Sequence, residues 1–322
     1  MINFHTLIRF LLVCLTATTT AAASPYPNRP IRLVISYSAG GPVDIVGRLA
    51  GMKLAESLGQ PVVADNRAGA NGNIATEIVA RSTPDGYTLL VGSNGSIAIN
   101  PGLYRALPVD PVRDLAPVIM LASSPLALVA HPSVASNTVK ELIQQAKARP
   151  GSLNFSSAGN GSSAHLAAEL FKNLAGVDLS HIPYKGAAPA LTDLVAGQVQ
   201  IMFTGVSATL SYIRGGKLKP LGVTGDKRVA VLPDVPAIGE TVTGYEVMTW
   251  YGVFAAAQTP PPILNLLTRT LADASATRDI RQRLGALGAE PVGLPPENFA
   301  PLIRREIAKW TKVIRDAGIN PE

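Results

Sequence analysis

Short apolar runs alternate along this chain with segments whose apolar residues recur every three or four positions, which predicts strands alternating with helices. In the first hundred residues the pattern predicts strands at 31–36, 61–64 and 87–92, with helices at 43–58 and 73–81 between them. This β-α-β-α-β order favours a parallel sheet with helices on its faces. The predicted fold class is therefore α/β.

The later part of the chain repeats the alternation and ends in helices. Two apolar runs, 118–122 and 126–130, are separated by Ser123, Ser124 and Pro125. Thr138 and Glu141 then have the spacing of a capping box. Further strands are predicted at 153–156, 180–184, 199–203 and 218–224, with helices at 162–174 and 189–197. In the last helix an apolar stripe is expected to be core: Phe299, Ile303, Ile307, Trp310 and Ile314.

A glycine-rich turn leads from the first predicted strand into the first helix. It contains Tyr37, Ser38, Ala39, Gly40, Gly41 and Asp44. Glycines allow the backbone to aim several N–H groups at one point, and a helix start adds unpaired donors and partial positive charge. The turn predicts a site for a carboxylate or a phosphate, with an ordinary turn as the alternative. Asp44 is a candidate general base, cap or hydrogen-bond acceptor.

A second glycine-rich turn joins the strand at 153–156 to the following helix. Asn160, Gly161, Ser162 and Ser163 bring backbone N–H groups and hydroxyls to the helix start, which again suits an anion. We interpret this turn as a second anion cradle. His165, one helical turn further on, is either a packed histidine or a ligand contact.

The same turn also matches a dinucleotide-binding fingerprint on paper. The matching positions are Gly159, Gly161 and Ala164. The acidic residue about 20 positions on, Asp178, precedes the next strand, whereas a ribose-binding acid would end that strand. This mismatch argues against a nucleotide.

Two further small polar turns follow predicted strands. Ser93 and Asn94 come after the third strand, and Thr204 and Gly205 come after the strand at 199–203. Open α/β sheets bind ligands at the carboxyl ends of their strands. Four such turns favour one ligand site built from several strand ends.

Signatures of catalysis and of metal binding are missing from the sequence. It contains no G-x-S-x-G elbow, no S-x-x-K motif and no H-E-x-x-H zinc motif. We therefore expect a binding protein with no cofactor, no metal and no catalytic residues. A secreted hydrolase or lyase acting on a small acid is the alternative.

The N-terminus has the pattern of a secretory signal peptide. Arg9 precedes the apolar segment 10–15, and Ala21, Ala22 and Ala23 supply the small residues that signal peptidase needs. We expect cleavage after about Ala23 and export to a bacterial periplasm. Cys14 is the only cysteine and lies in this segment, so the mature chain would hold no thiol.

Length and composition favour an exported two-domain protein. The 322 residues are long for one compact domain, and a hydrophobic content of 47% supports well-filled cores. A formal net charge of +6 suits anionic ligands, but the cations are not clustered as in a nucleic-acid-binding arm. We expect a monomer that binds no nucleic acid.

Together these motifs resemble one family, the substrate-binding receptors of tripartite tricarboxylate transporters, or Bug-type periplasmic receptors. The matching stretches lie at 26–31, 39–48, 63–72, 84–89, 158–166, 183–186, 193–199 and 232–236. They include Ala39-Gly40-Gly41-x-x-Asp44, Pro84-Asp85-Gly86-Tyr87 and Gly159-x-Gly161-Ser162-x-x-His165. The match extends from about residue 26 to the C-terminus.

The resemblance implies a type II periplasmic-binding-protein fold, in which two α/β lobes enclose a ligand cleft like a Venus flytrap. Residues 24–123 and 248–322 would form lobe 1, and residues 124–247 would form lobe 2. The two glycine turns, one per lobe, would hold the carboxylates of a small organic acid. Thr204 and Gly205 stand where many relatives have an acidic or amide residue, which argues against a ligand with an ammonium group.

The resemblance also implies that the receptor delivers its ligand to the carrier subunits of a membrane transporter. A receptor that signals to a membrane sensor kinase is the alternative.

Overall fold

The structure is a computed structural model that describes residues 26–184 and 186–319. The signal peptide predicted at 1–23 lies outside these ranges. Within them, no helix combines the length and the apolar character that crossing a membrane requires.

Strands and helices alternate along the described chain, as the sequence pattern predicts. The strands are β1 (Ile31–Ile35), β2 (Val62–Asn66), β3 (Thr88–Ser93), β4 (Leu115–Ala130), β5 (Asn154–Ser157), β6 (Ser180–Pro183), β7 (Ile201–Gly205), β8 (Lys219–Val223), β9 (Met248–Ala256) and β10 (Glu290–Leu294). The helices are α1 (Pro42–Leu58), α2 (Asn73–Ala80), α3 (Asn100–Leu103), α4 (Val139–Ala148), α5 (Ser163–Ala175), α6 (Ala187–Val195), α7 (Val206–Arg214), α8 (Pro261–Ser275), α9 (Arg278–Ala286) and α10 (Pro296–Asp316). Most predicted bounds are confirmed to within two residues.

One sheet connects two parallel α/β units. Its strand order is β2-β1-β3-β9-β4-β7-β5-β6, and β8 and β10 also pair with β4. Strand β1 is parallel to β2 and β3, and β5 is parallel to β6 and β7. Strands β4 and β9 run antiparallel to their neighbours and join the two groups. The predicted α/β class is thereby confirmed.

Strand β4 passes from one unit into the other without a break. Its residues from Leu115 to Pro125 pair with β9, and those from Leu126 to Ala130 pair with β7. The division into two runs at Ser123 is therefore wrong. Ser123 pairs with residues of both β9 and β10, and these partners hold the short polar segment in the sheet.

The segment after β3 also differs from the predicted turn. Ser93 ends β3, and residues 95–99 form one wide helical turn that continues into α3. Ile97 and Ile99 are completely buried there. The helical backbone here places both apolar side chains in the core, where their burial stabilises the fold.

The apolar stripe of the last helix lies in a core that both units share. Phe299, Ile303, Trp310 and Ile314 are buried in it, and Ile307 packs against it partly exposed. The same core contains residues of β3 and β5. The two units therefore meet over a continuous apolar contact, and the stripe has a structural role.

Candidate functional site

The first glycine turn is held in place by Asp44, in the first turn of α1. Its carboxylate is 3% exposed and accepts the Gly40 N–H at 2.9 Å. It also accepts hydrogen bonds from Arg48 Nε at 3.0 Å and from Asn66 Nδ2 at 2.9 Å. Since these donors surround the carboxylate, Asp44 supports the turn, while Ser38 is exposed at its tip.

These hydrogen bonds also set the charge of Asp44. Burial by itself would raise the pKa of this carboxyl, but the bonds from Arg48, Gly40 and Asn66 hold its pKa below the usual range. The group is ionised at neutral pH. An ionised carboxylate with several donors is a poor proton acceptor, which argues against the role of general base.

A network of amide side chains lies behind the first turn. Tyr37 Oη donates to Asn71 Oδ1 at 3.0 Å, and Asn71 Nδ2 donates to Asn100 Oδ1 at 2.7 Å. Asn100 Nδ2 donates in turn to Asn73 Oδ1 at 2.6 Å. Asn71 has a φ of +49°, a left-handed conformation that its hydrogen bonds stabilise.

Ser93 and Asn94 are buried at the end of β3. Asn94 Nδ2 donates to the Met248 carbonyl at 3.3 Å, so this residue links β3 to the start of β9. Asn94 Oδ1 is buried and has no hydrogen-bond partner among the described residues. A buried amide oxygen without a donor is a place where a water or a ligand donor would be stabilised.

The second glycine turn is built around the start of α5. Ser162 caps the helix by accepting the His165 N–H at 3.3 Å, as its position at a helix start predicts. The Gly161 N–H points inward and donates to His165 Nδ1 at 3.0 Å. Asn160 is exposed at the tip, and Ser163 is half-buried. The N–H groups at the first positions of α5 have no partner within the helix and can bind an anion.

Two histidine rings stack beneath this second turn. The rings of His165 and His181 lie 3.9 Å apart with an angle of 9° between their planes, and Phe155 stacks on His181 at 4.7 Å. Burial, His181 and Lys172 lower the pKa of His165 to about 3, and burial and Lys172 lower the pKa of His181 to about 4. Both rings are neutral at pH 7. The His181 ring is therefore the stacking partner of His165.

Thr204 and Gly205 end β7 beside a small cavity between the two units. This cavity of about 30 Å³ is lined by Pro42, Ser124, Leu126, Gly205, Ser207, Thr249 and Tyr251, among others. Thr204 is buried, and Thr249 Oγ1 is buried without a hydrogen-bond partner in the described chain. No charged side chain lines the cavity among the described residues.

The structure brings the four predicted turns to the boundary of the two units. Pro42, beside the first turn, and Gly205 line the same cavity. A Cβ at Gly95 would lie 2.6 Å from Tyr37 Oη, so the segment after β3 contacts the first turn. A Cβ at Gly161 would lie 2.2 Å from Leu103 Cδ2, so the second turn contacts α3 of the other unit.

A larger cavity of about 620 Å³ lies elsewhere, between α5 and α10. Its lining includes Glu169, Lys172, Lys309 and Lys312. None of the predicted turn residues lines it, so it is separate from the candidate site. Across residues 26–184 and 186–319, no group of three or more metal-ligating side chains is found.

Sequence reasoning missed several residues that support the turns. Asn71 and Asn100 carry the network behind Tyr37, yet they are 29 positions apart. Thr249 lies on β9, far from every glycine motif. The strand ends predict where backbone N–H groups meet, whereas these side chains reach the site through tertiary contacts.

Solved proteins of similar structure include two with a small acid bound. R. palustris Rpa4515, solved with adipate, is 38% identical, with a TM-score of 0.83 over 92% of this chain and 100% of that one. The periplasmic binding protein BugD is 34% identical, with a TM-score of 0.79 over 92% and 100%. MatC from Rhodopseudomonas palustris, solved with bound malate, is 34% identical, with a TM-score of 0.77 over 90% and 100%.

A family model covers most of the chain. The model of the tripartite tricarboxylate transporter family receptor matches residues 46–319. This range contains the second glycine turn, both connecting strands and the three C-terminal helices. The chain therefore belongs to the tripartite tricarboxylate transporter receptor family.

Proposed function

We propose that this protein is a periplasmic receptor that binds a small organic dicarboxylate between its two units and delivers it to the carrier subunits of a membrane transporter. The observation that carries the proposal is the pair of glycine turns, one in each unit, at the starts of α1 and α5. Both turns present backbone N–H groups at a helix N-terminus, where a carboxylate is stabilised.

Each turn would take one end of the ligand. The first carboxylate would bind the exposed tip of the first turn, at Ser38 and Ala39, before the start of α1. The second would bind Asn160 and Ser163 at the start of α5. Since both contacts exist only when the units are close together, the ligand would favour the closed arrangement.

The chemistry of the site favours acids without an amino group. Ser93, Asn94, Thr204 and Gly205 contribute no negative charge, and Asp44 already accepts bonds from Arg48, Asn66 and Gly40. An ammonium group would therefore lack a free carboxylate partner here. Adipate and malate, bound by two relatives, have two carboxylates and no amino group.

Strands β4 and β9 mark where the chain crosses between the units. We propose boundaries at 24–123 with 248–322 for lobe 1 and at 124–247 for lobe 2. The signal peptide would end at about Ala23, and the mature protein would act as a monomer. Pairing of β4 with β9 along its first eleven residues supports these crossings as the hinge.

Thermal unfolding with matched ligands tests the proposal. Adipate and malate should raise the unfolding temperature, with about 2.7 kcal/mol of stabilisation at 100 times the dissociation constant. Adipamide has the same length without charge and should give no shift. If no acid in a broad panel of di-, tri- and aromatic carboxylates shifts the transition, the proposed function is wrong.

Two further measurements separate the alternatives. Mass spectrometry after long incubation should recover the bound acid unchanged, whereas conversion would indicate a hydrolase or lyase. Purification with membrane extracts should retain a carrier subunit. Retention of a sensor kinase in its place would indicate a signalling receptor.

A further inference from the structure

The same kind of hydrogen bond, from a glycine N–H to a side chain, holds both turns, but the accepting side chain differs. In the first, the Gly40 N–H is accepted by Asp44, four residues further on, at 2.9 Å. In the second, the Gly161 N–H is accepted by His165, also four residues further on, at 3.0 Å. The pKa of Asp44 is lowered, so its carboxylate stays ionised in mild acid and still accepts the hydrogen bond. An imidazole nitrogen that becomes protonated can no longer accept one.

The hydrogen bond from Gly161 defines the state of His165. Because Nδ1 accepts the hydrogen bond from the Gly161 N–H, the ring is neutral and carries its hydrogen on Nε2. Protonation would place a second N–H opposite the Gly161 N–H and break this contact. Gly161 has a φ of +69° and its backbone lies against Leu103, so the bond fixes a tightly packed part of the turn.

His181 supports the other side of the turn. Its Nε2 lies 2.7 Å from Ser157 Oγ, and Ser157 Oγ accepts the Gly159 N–H at 3.1 Å. The two stacked rings therefore reach Gly159 and Gly161, on either side of Asn160. Two protonated rings at 3.9 Å would repel each other, and His165 would also lose its acceptor for the Gly161 N–H.

We propose that His165 is a positioning residue that, with His181, holds the second turn in its ligand-binding form only while both rings are neutral, so that acid releases the ligand. The inference rests on the proposed function for its readout. His165 acts through the Gly161 backbone and does not itself touch the ligand.

The charged groups around His165 and His181 do not stabilise the protonated rings. Glu169 on α5 lies 3.7 Å from His165 Nε2, but its Oε1 also binds Lys172 at 2.8 Å. Lys309, Lys312 and Asp316 of α10 line the cavity that Glu169 and Lys172 also line. Burial and Lys172 thus keep the pKa of both rings low while the second turn is in its ligand-binding form.

The size of the effect follows from linkage. When the second turn leaves its ligand-binding form (the open turn), His165 regains its ordinary pKa of about 6.5. At pH 5, protonation of His165 alone then raises the equilibrium constant for opening by about 30-fold. The affinity for a ligand that needs the closed turn should fall as the open form becomes populated. We expect adipate affinity to fall at least about fivefold between pH 7.5 and pH 5.0.

Calorimetric titration of adipate into four proteins tests this. In His165→Asn, the amide oxygen can occupy the place of Nδ1 and accept the Gly161 N–H without titrating. This variant should bind as the wild type does at pH 7.5 and lose most of the additional weakening at pH 5.0. His165→Leu has no acceptor and should bind weakly at both pH values.

His131→Asn is the matched control, because His131 follows β4 and bonds to Ser133 away from the turns. It should keep the full wild-type pH dependence. Protonation of adipate itself contributes equally to all four proteins, so the comparison between variants isolates His165. An equal pH dependence in wild type and His165→Asn would overturn the proposal.

Nuclear magnetic resonance of the ligand-free protein separates this inference from the proposed function. The imidazole nitrogens of His165 should report a neutral ring with the proton on Nε2, and the Gly161 amide should shift in His165→Leu and recover in His165→Asn. Titration of His165 near pH 6.5 in the folded protein would overturn the inference. Failure of all acids to bind the wild type at pH 7.5 would overturn only the proposed function.

Discussion

Single side chains decide the shape of both glycine turns by accepting backbone N–H groups. Asp44 and His165 occupy equivalent places relative to Gly40 and Gly161. Each removes one N–H of its turn from the set that a ligand could use and orients the remainder. Buried side chains therefore hold both turns in place, and the exposed tips, Ser38 and Asn160, take no part in these bonds.

Replacing Asp44 by Asn tests this organisation at the first turn. The amide keeps one acceptor and places an N–H₂ group among donors, so the free energy of unfolding should fall by about 1–3 kcal/mol in urea at pH 7. Because the pKa of Asp44 is depressed, this contribution is present above about pH 3.8 and is lost as the pH falls through its folded-state pKa. The difference in the free energy of unfolding between wild type and variant should therefore disappear in strong acid.

Asp279→Asn is the control for charge alone. Asp279 pairs with Arg283 on α9 with both side chains about half exposed. Its removal should leave the free energy of unfolding nearly unchanged, because solvent screens an exposed ion pair. Equal losses in the two variants would mean that the bonds of Asp44 to the turn contribute nothing.

Gly161 and Gly40 form a matched pair for the second residue-scale prediction. Both have positive φ, +69° and +82°, so alanine strains both backbones by about 1 kcal/mol. A Cβ at Gly161 would also meet Leu103 at 2.2 Å, whereas a Cβ at Gly40 has open space. Gly161→Ala should therefore lower both thermal stability and adipate affinity more than Gly40→Ala does. Similar losses in both would show that the Leu103 contact is unimportant.

At the scale of elements, α10 and β9 connect the site to the core. Phe299 of α10 packs edge-on against Trp250 of β9, with their ring centroids 5.1 Å apart. A Cβ at Gly252 would lie 2.7 Å from the Phe299 ring. Trp250 is 2% exposed and its ring packs in this core, while its Nε1 is buried without a hydrogen-bond partner among the described residues. The close approach of helix and strand requires a glycine at position 252.

Gly252→Ala should therefore destabilise the protein by about 1–3 kcal/mol through overpacking, measured by urea unfolding. Gly285→Ala is the control, because position 285 lies in α9 with open space around it. There alanine should stabilise the helix by up to about 1 kcal/mol. A neutral effect at Gly252 would mean that Phe299 moves aside at little cost.

At the scale of the whole molecule, two parallel α/β units share one sheet and one core, joined through β4 and β9. Small rotations about these two strands would change the distance between the two turns with little change inside each unit. Under the proposed function, a ligand with two charged ends would shift the population between open and closed forms.

Small-angle X-ray scattering tests this motion. Saturating adipate should reduce the radius of gyration, because both turns then hold the ligand. Hexanoate has one carboxylate and should give a smaller change, and adipamide should give none. An unchanged radius of gyration with adipate bound would indicate that the units are rigid relative to each other.

Much of the fold could be predicted from periodicity because it depends on local patterns. The glycine turns end strands and begin helices, so the order of residues along the chain is enough to mark Gly40 and Gly161 as special positions. Half of the predicted capping box at Thr138 and Glu141 forms: the Glu141 N–H donates to Thr138 Oγ1 at 3.1 Å, whereas the Glu141 carboxylate accepts the Asn137 N–H at 2.7 Å. Such features involve residues within a few positions of each other, and their chemistry is readable along the chain.

Local spacing and motifs are sufficient to predict most of the strands and helices, the two glycine turns and the family. The continuity of β4, the helical backbone at 95–99 and the stacking of His165 on His181 emerge only in the folded protein. Each of these depends on partners distant in sequence, such as β9, α10 and β6. Long-range packing, which no local pattern encodes, therefore decides how the two turns are supported.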